Sequence, residues 1–339
     1  MKIRLISDLH IDVNSSYGVS LTDDGDNDVF TLIAGDISGK VEETTKWIEK
    51  NVKYGAFCAG NHIVYNPDVH NIDNPTKIAI EDLKMELHKK FPLESNVTFF
   101  DDDVGVISKQ ISDKVLLIAD VLYTDYKLKI PNINPKGLQK TNMHLAEPKM
   151  HGSYLNDFVY GFTKQKMYDK DEHSTEPDGL WKLRPQYYLD HHNRVWKKIK
   201  DIVENNPDMD IIIMSHHCLS TKCISKNYVN DALNSSYVSN KDSWIKKHPN
   251  IKLILSGHVH HRNNFYIGNT LYVLNPLGYC RDTAIYKNPQ TNKDEMWTPH
   301  CFIDTDTWKL TYEPYDNEKW REVLEAYHNI IMRYHGLFF

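Results

Sequence analysis

Residues 253–261 read Leu-Ile-Leu-Ser-Gly-His-Val-His-His, an apolar run that ends in glycine and closely spaced histidines. An apolar run of this length bounded by glycine is typical of a buried strand. The carboxyl end of such a strand is where open α/β sheets place their ligand sites. Gly257 permits a sharp turn, so His258 and His260 can both face one small volume. Because imidazole is the commonest metal ligand, the stretch predicts a strand that ends at a metal site.

The overall composition is that of an ordinary globular protein. The chain has 339 residues, of which 40% are hydrophobic and 25% charged, enough for one large domain or two modest ones. Its formal net charge of −6 argues against non-specific binding to nucleic acid or anionic membrane, although a local basic groove is not excluded. The five cysteines are scattered without a CxxC spacing, which indicates a reducing compartment rather than disulfides or a thiolate zinc site.

Hydropathy predicts no contact with a membrane. The apolar run at residues 3–6 is too short for a signal peptide. No stretch approaches the roughly 20 apolar residues that a membrane span needs. We therefore expect a cytoplasmic protein, in the host cytoplasm if the chain is viral.

Four earlier segments repeat the pattern of a strand followed directly by polar residues. Strands are predicted at residues 3–7, 29–34, 54–59 and 210–215. The polar residues that follow them are Asp8 and His10, then Asp36, then Asn61 and His62, and finally His216. Each cluster alone is weak evidence, because such pairs occur by chance in loops. Five clusters in this order are specific evidence for a functional site.

The clusters resemble the signature of the metallophosphoesterase, or calcineurin-like phosphoesterase, superfamily. Its D-x-H, G-D, G-N-H, H and G-H-x-H motifs correspond to residues 8–10, 35–36, 60–62, 216 and 257–260. The resemblance spans residues 3 to about 279, and residues 119–126 and 275–279 look like a bacterial and phage branch of small members. The chain departs from the family at Gly39 and Ile63, where the family often has acidic residues. Those positions usually lie outside the metal ligands, so the departures bear on metal preference.

The resemblance implies an α/β fold, a four-layer α/β/β/α sandwich of two mixed sheets flanked by helices. It places one metallophosphoesterase domain over residues 1–315. Residues 123 to about 190 are rich in Tyr, Lys, Pro and Asn and are predicted to be an insertion that shapes a substrate site, with a surface excursion as the alternative. Residues 316–339 are predicted to form an amphipathic helix that packs on the domain or on a partner subunit.

The resemblance further implies two divalent metal ions. Asp8, His10 and His260 would hold the first ion, Asn61, His216 and His258 the second, and Asp36 would bridge both. Oxygen and nitrogen ligands without a thiolate favour Mn, Fe or Zn, including mixed pairs, and we expect Mn. Hydroxide held between the two ions would attack phosphorus in line, and His62 would protonate the leaving oxygen as general acid.

Three residues next to the predicted ligands are candidate substrate contacts. His217 adjoins His216, and His261 and Arg262 follow His260. Arg262 could bind a phosphate through two hydrogen bonds. The alternatives are a structural, hydrogen-bonded histidine for His217 and simple exposure for the other two.

The predicted function is metal-dependent hydrolysis of a phosphate ester. A phosphodiester in a nucleotide or nucleic acid is favoured over a phosphomonoester or a phosphoprotein, although one catalytic core can hydrolyse both and the motifs do not separate them. A nucleic-acid partner is not indicated by the net charge. The alternative from another class is a scaffold that keeps the fold without catalysis. The complete ligand set argues against that alternative.

Overall fold

The structure is a computed structural model that describes residues 1–14, 19–21, 28–65, 77–134, 137–142, 155–167, 179–229, 231, 233–279, 285–287 and 294–313. Residues 129–134, 137–142, 285–287 and 294–296 are described by their backbone. Two six-stranded mixed sheets form the centre of the molecule.

The first sheet contains the strands of the N-terminal half and two late strands. These are β1 (Lys2–Ile6), β2 (Phe30–Ala34), β3 (Tyr54–Cys58), β4 (Val97–Phe100), β17 (Cys301–Asp304) and β18 (Lys309–Tyr312). Their order is β18-β17-β1-β2-β3-β4. Strands β1 to β4 are parallel, while β17 and β18 run antiparallel at one edge.

The second sheet also combines parallel and antiparallel strands. Its strands are β5 (Ser108–Gln110), β6 (Val115–Asp120), β11 (Asp210–Ser215), β12 (Ile251–Ser256), β13 (Asn263–Ile267) and β14 (Thr270–Leu274). Their order is β13-β14-β12-β11-β6-β5, with four parallel central strands and an antiparallel strand at each edge. The five strands predicted from the sequence match β1, β2, β3, β11 and β12 to within two residues.

Helices and short hairpins complete the described chain. The helices are α1 (Val41–Asn51), α2 (Ile80–Lys90), α3 (Asn156–Tyr160), α4 (Pro185–Asn205), α5 (Asn234–Tyr237) and α6 (Asp242–Ile245). One-turn 3-10 helices lie at Asn61–Tyr65, Asp102–Val104, Thr221–Cys223 and Lys226–Tyr228. Three further strand pairs are β7 (Lys129–Asn134) with β8 (Gly137–Asn142), β9 (Phe162–Thr163) with β10 (Trp181–Lys182), and β15 (Ile285–Lys287) with β16 (Asp294–Met296).

Three apolar clusters separate four layers of structure. The central cluster joins the inner faces of the two sheets, for example Leu5 and Leu32 with Ile212. A second cluster packs α1 and α2 against the other face of the first sheet, and a third packs α4 against the other face of the second. Because successive side chains of a strand point to opposite faces, each sheet can be apolar on both sides. The predicted four-layer α/β/β/α sandwich is confirmed.

The predicted insertion and C-terminal helix are described to different extents. Within residues 123–190 the structure describes β7 to β10, α3 and the first residues of α4. Helix α4 continues to Asn205 and packs on the second sheet. Residues 316–339 lie outside the described residues. None of the described helices is both long enough and apolar enough to cross a membrane.

Candidate metal centre

The predicted site residues lie in loops that follow parallel strands of both sheets. Asp8 and His10 follow β1, Asp36 follows β2, Asn61 and His62 follow β3, His216 follows β11, and His258 and His260 follow β12. Carboxyl ends of parallel strands share one edge of a sheet. The packing of the two sheets brings both edges together, so all eight residues form one cluster.

Backbone hydrogen bonds hold these loops against one another. The N–H of Asp8 donates to the carbonyl of Gly35 at 3.0 Å, and the N–H of His10 donates to the carbonyl of Asp36 at 3.0 Å. The N–H of Gly257 likewise donates to the carbonyl of His216 at 3.0 Å. The site is therefore built on fixed backbone.

The backbone of the predicted ligands is strained. The φ angles of Asp8, His10, Asp36, His258 and His260 are 54°, 43°, 51°, 69° and 42°. They make up five of the eight non-glycine residues with positive φ in the described part of the chain. Such a conformation costs about 1–3 kcal/mol per residue and persists only where the surroundings enforce it. This concentration of strain is characteristic of a functional site.

The first group of donor atoms comes from Asp8, His10 and His260. The Nε2 atoms of His10 and His260 are 2.9 Å apart. The Nε2 atom of His260 is 3.5 Å from Oδ1 of Asp8. The three side chains offer ligand atoms that all lie within 4.8 Å of one another, close enough to bind one cation.

The second group comes from Asp36, Asn61, His216 and His258. The Nε2 atom of His216 lies 3.1 Å from Oδ2 of Asp36 and 3.0 Å from Oδ1 of Asn61. The other ring nitrogen of His216, Nδ1, is 2.8 Å from the carbonyl oxygen of Ala34. A carbonyl only accepts, so Nδ1 donates and Nε2 faces the site. His258 completes a group of ligand atoms within 4.8 Å with Asp36 and His216.

Each carboxylate is oriented by a backbone N–H from a neighbouring loop. His258 N donates to Oδ1 of Asp8 at 2.9 Å, and His62 N donates to Oδ1 of Asp36 at 3.0 Å. The second oxygen of Asp8, Oδ2, and Nε2 of His258 are buried without a hydrogen-bond partner among the described residues. Buried polar atoms without a partner are costly. A cation between the loops would satisfy them, and the donor set fits two divalent ions.

Two glycines leave the space that the carboxylates occupy. A Cβ at Gly60 would lie 1.7 Å from Oδ1 of Asp36, and a Cβ at Gly257 would lie 2.4 Å from Oδ2 of Asp8. Real atoms do not approach this closely, so any other residue would displace a carboxylate. These contacts explain why glycine precedes both Asn61 and His258.

Burial and mutual charge shift the pKa values of the site. Burial lowers the pKa of His10 to about 3 and, with His217 and His216 nearby, holds the pKa of His258 well below its usual range. Burial opposes protonation of His216, but the Asp36 carboxylate outweighs it and raises that pKa to about 9. The same interaction holds the pKa of Asp36 well below its usual range despite burial. Metal binding requires deprotonated ligands, and most of these groups already are.

His62 lies at the border of both groups. Its Nε2 atom is 3.9 Å from Oδ2 of Asp36 and 3.3 Å from the hydroxyl of Tyr279. Its ring packs against His10 with 4.5 Å between centroids. His62 also forms a ligand-like group with His10 and Asp36, so the geometry allows it to contact either a cation or a substrate.

The three candidate substrate contacts lie in different surroundings. His217 is buried, with its ring centroid 4.2 Å from that of His258 and 5.3 Å from that of Tyr123. His261 lines a cavity beside the centre. Arg262 is buried, with its guanidinium 4.0 Å from the centroid of the Tyr312 ring. Of the three, only His261 faces an open space in the described structure.

Asp157 is a site residue that the sequence analysis missed. It lies in α3 within the predicted insertion and is buried. Its carboxylate accepts hydrogen bonds from Asn61 Nδ2 at 2.9 Å, from the Tyr65 hydroxyl at 2.6 Å and from the Tyr188 hydroxyl at 3.1 Å. The bond to Nδ2 turns Oδ1 of Asn61 toward His216. No sequence signal marks Asp157, because it is far from Asn61 along the chain and carries no motif.

In the described part of the chain, a larger and a smaller cavity open onto the centre. The larger, of about 520 Å³, includes Tyr228 and Asp231 among its lining residues, and the smaller, of about 260 Å³, includes His62 and Asp157. They share four lining residues, Tyr237, His258, His260 and Tyr279. A bound substrate can therefore extend from the centre in two directions.

Comparison with known proteins gives structural matches only. No family model matches the chain, and no curated protein matches its sequence significantly. The phosphopantetheinyl hydrolase PptH from Mycobacterium tuberculosis matches with a TM-score of 0.55 and 14% identity, over 83% of this chain and 90% of that chain. A dimetal phosphatase from Danio rerio matches with a TM-score of 0.45 and 11% identity, over 81% of this chain and 86% of that chain. A putative 5′-nucleotidase from Staphylococcus aureus matches with a TM-score of 0.40 and 11% identity, over 97% of this chain and 58% of that chain. The first of these three shows a shared fold.

Proposed function

We propose that this chain, which has the metallophosphoesterase fold, is a metal-dependent phosphoesterase that hydrolyses a phosphodiester. The observation that supports the activity is the convergence of the seven predicted ligands at one edge of the two sheets. The unpartnered atoms Asp8 Oδ2 and His258 Nε2 lie within the same cluster. A scaffold without catalysis would have no physical need for this arrangement.

The proposed ligand assignment follows the two groups of donor atoms. Asp8, His10 and His260 would hold one divalent ion, Asn61, His216 and His258 would hold the other, and Asp36 would serve both. When bound, such ions lower the pKa of a water molecule and neutralise charge on the phosphate oxygens. Mn²⁺ is our first choice because the ligands are nitrogen and oxygen without a thiolate, and Fe or Zn is the alternative.

Within this site His62 is proposed to donate a proton to the leaving oxygen. It lines the smaller cavity, where a leaving group would lie. The Tyr279 hydroxyl lies 3.3 Å from Nε2 of His62 and helps to hold the imidazole in place. Proton donation to a leaving oxygen contributes typically about 10²–10⁴-fold to a rate.

The two cavities favour a diester over a monoester. A diester carries one leaving and one remaining substituent, and the centre opens into two spaces that share His258 and His260. A phosphomonoester would fill one of them. Hydrolysis of a monoester or phosphoprotein is therefore the second candidate function.

The cysteines are consistent with a cytoplasmic enzyme. Cys58, Cys218, Cys223 and Cys301 are buried and free. Free thiols in this number are typical of a reducing compartment. We propose that the enzyme acts in the cytoplasm, that of the host if the chain is viral.

The activity is tested with protein that has been stripped of metal and reloaded with Mn²⁺. Bis(p-nitrophenyl) phosphate and p-nitrophenyl phosphate are compared at equal concentration with and without the metal. We expect metal-dependent release of p-nitrophenolate, faster from the diester. Faster release from the monoester would favour the second candidate. Two bound ions without turnover of either ester would favour the scaffold.

The role of His62 is tested with His62→Ala on two diesters that differ only in the leaving group. The proposal expects a loss of about 10²–10⁴-fold for an alcohol leaving group and a smaller loss for p-nitrophenolate, which needs no proton. Metal content should remain at two ions per chain. Loss of an ion would make His62 a ligand, and equal losses for both esters would contradict the acid role.

A further inference from the structure

His62 lines the smaller cavity and is not among the described residues that line the larger one. The larger cavity meets the smaller one at Tyr237, His258, His260 and Tyr279. If the leaving group occupies the smaller cavity with His62, the remaining substituent of a diester extends into the larger one. At about 520 Å³ this space is within the range of about 300–1,000 Å³ that ligand pockets have.

Tyrosine rings and amides line this cavity. Tyr237 packs against His258 with 4.8 Å between ring centroids, so its ring lies beside the metal centre. Tyr228 lies farther along the wall and is 60% exposed. Asn227 adds an amide, and Asn234, which is buried, donates from Nδ2 to the carbonyl of Tyr228 at 2.5 Å. Aromatic rings with amides nearby suit a flat, hydrogen-bonding group, because aromatic stacking tolerates any base while amides bind its edges.

The described residues of the lining carry a charge that is unfavourable for a second phosphate. Among the described residues that line the cavity there is no Lys or Arg, and Asp231 provides a carboxylate. Arg and Lys are the side chains that bind phosphate in proteins. A strand of nucleic acid would bring further phosphates against this wall.

We infer that the larger cavity is the subsite for the remaining substituent of the diester, and that it selects a neutral, ring-bearing group of nucleoside size over one that carries a further phosphate. This inference rests on the proposed phosphodiesterase activity and names its substrate class. Tyr228 provides the stacking surface. Asp231 repels additional negative charge.

Two substitutions separate these roles without disturbing the core. Tyr228→Ala removes a ring that is 60% exposed, and Tyr266→Ala, on β13 outside the cavity, removes one of equal exposure as the matched control. Asp231→Asn removes the charge and keeps an oxygen in place of Oδ1, which accepts the N–H of Leu233 at 2.8 Å.

The experiment uses Mn²⁺-loaded protein and three diesters that share p-nitrophenolate as leaving group. Their remaining substituents are methyl, 5′-thymidyl, and 5′-thymidyl with a 3′-phosphate. We expect Tyr228→Ala to raise KM for the thymidyl ester about tenfold and to leave KM for the methyl ester unchanged. Tyr266→Ala should change neither KM. Wild type should prefer the thymidyl ester to its 3′-phosphorylated form, and Asp231→Asn should reduce that preference severalfold.

The outcomes distinguish the inference from the proposed function. Absence of turnover of all three esters would refute the phosphodiesterase itself. Turnover with equal effects of Tyr228→Ala on the methyl and thymidyl esters would overturn the subsite while leaving the activity intact. A wild-type preference for the 3′-phosphorylated ester would overturn the selection against a second phosphate.

Discussion

Among the described residues, two buried clusters of carboxylates and imidazoles look alike by ligand type. One is the metal centre described above. The other, here called the Lys84 cluster, consists of Asp101, Asp103, Asp120 and His191 around Lys84. In both, carboxylate oxygens and imidazole nitrogens lie within 4.8 Å of one another. Ligand type and spacing alone would assign a metal to each.

The two clusters differ in what neutralises the carboxylates. Lys84 is fully buried, and its Nζ lies 3.0 Å from Oδ2 of Asp101 and 2.7 Å from Oδ2 of Asp103. Burial raises the pKa of Asp101 to about 6 and that of Asp120 well above its usual range, which further reduces the negative charge. In the metal centre, the described ion pairs of Asp8 and Asp36 are with histidines. A buried site that already holds an ammonium does not need a metal ion.

The largest effect is expected from Asp36→Asn in the metal centre. The substitution removes the carboxylate that is proposed to serve both ions, so metal content should fall below two ions per chain and turnover should drop by at least about 10²–10³-fold. Metal analysis and diester hydrolysis measure the two effects. Asp201→Asn, an exposed carboxylate on α4, is the control and should behave as wild type. Full activity of Asp36→Asn would contradict the proposed centre.

Lys84→Met is expected to lower the stability of the protein and to leave its metal content unchanged. Removing one partner of a buried ion pair costs about 3–5 kcal/mol, so the free energy of unfolding should fall by that amount. The folded variant should still bind two ions. Urea unfolding of the metal-free protein and metal analysis of the native protein test this pair of results. Loss of metal without loss of stability would show that the two clusters are coupled.

The stability difference between wild type and Lys84→Met should depend on pH. Burial alone would raise the pKa of Asp103, but Lys84 outweighs it and holds that pKa below its usual range. A carboxyl with a lowered folded-state pKa contributes stability above its unfolded pKa of about 3.9, and loses it as the pH falls through the folded value. In Lys84→Met burial acts without Lys84 and holds the folded-state pKa of Asp103 above about 3.9, so the difference should be largest near pH 7 and shrink as the pH falls through that raised value. Urea unfolding at a series of pH values measures it, and a constant difference would contradict the ion pair.

Asp157→Ala, which removes the oxygen that accepts the Asn61 amide, should have a smaller effect, on metal affinity. Partners that orient a ligand are worth about 10–100-fold in metal affinity, and Asp157 orients Asn61. We expect one of the two ions to bind more weakly by that factor in a competitive titration, while the other is unchanged. Asp201→Asn again provides the control. Equal weakening of both ions would indicate a general loss of structure rather than an effect through Asn61.

The smallest effect is expected from Asp120→Asn. Since Lys84 already neutralises its cluster, wild type should saturate at two ions per chain, and this variant should do the same. A third ion that is lost in Asp120→Asn would show that the Lys84 cluster binds a cation after all.

The strands of the centre and the side chains that cluster at their ends could be predicted because their signals are local. Each ligand directly follows an apolar run, as His216 follows β11 and His258 follows β12, and the chain topology then brings these loops to one edge. The strain at Asp8 and Asp36 could not be predicted. Positive φ at a non-glycine residue is unfavourable locally and arises from hydrogen bonds to other loops.

The sequence by itself determined the strands and the order of the polar residues that follow them, since these depend on short patterns of apolar and polar residues, whereas the four layers were implied by the family resemblance. Only the tertiary structure shows which buried carboxylates already meet an ammonium and which cavities open beside the candidate metal centre. Lys84 meets Asp101 and Asp103, Asp157 meets Asn61, and Tyr228 meets the metal-centre cavity across long stretches of chain. Charge neutralisation and cavity shape are properties of atoms close in space, and no local pattern along the chain encodes them.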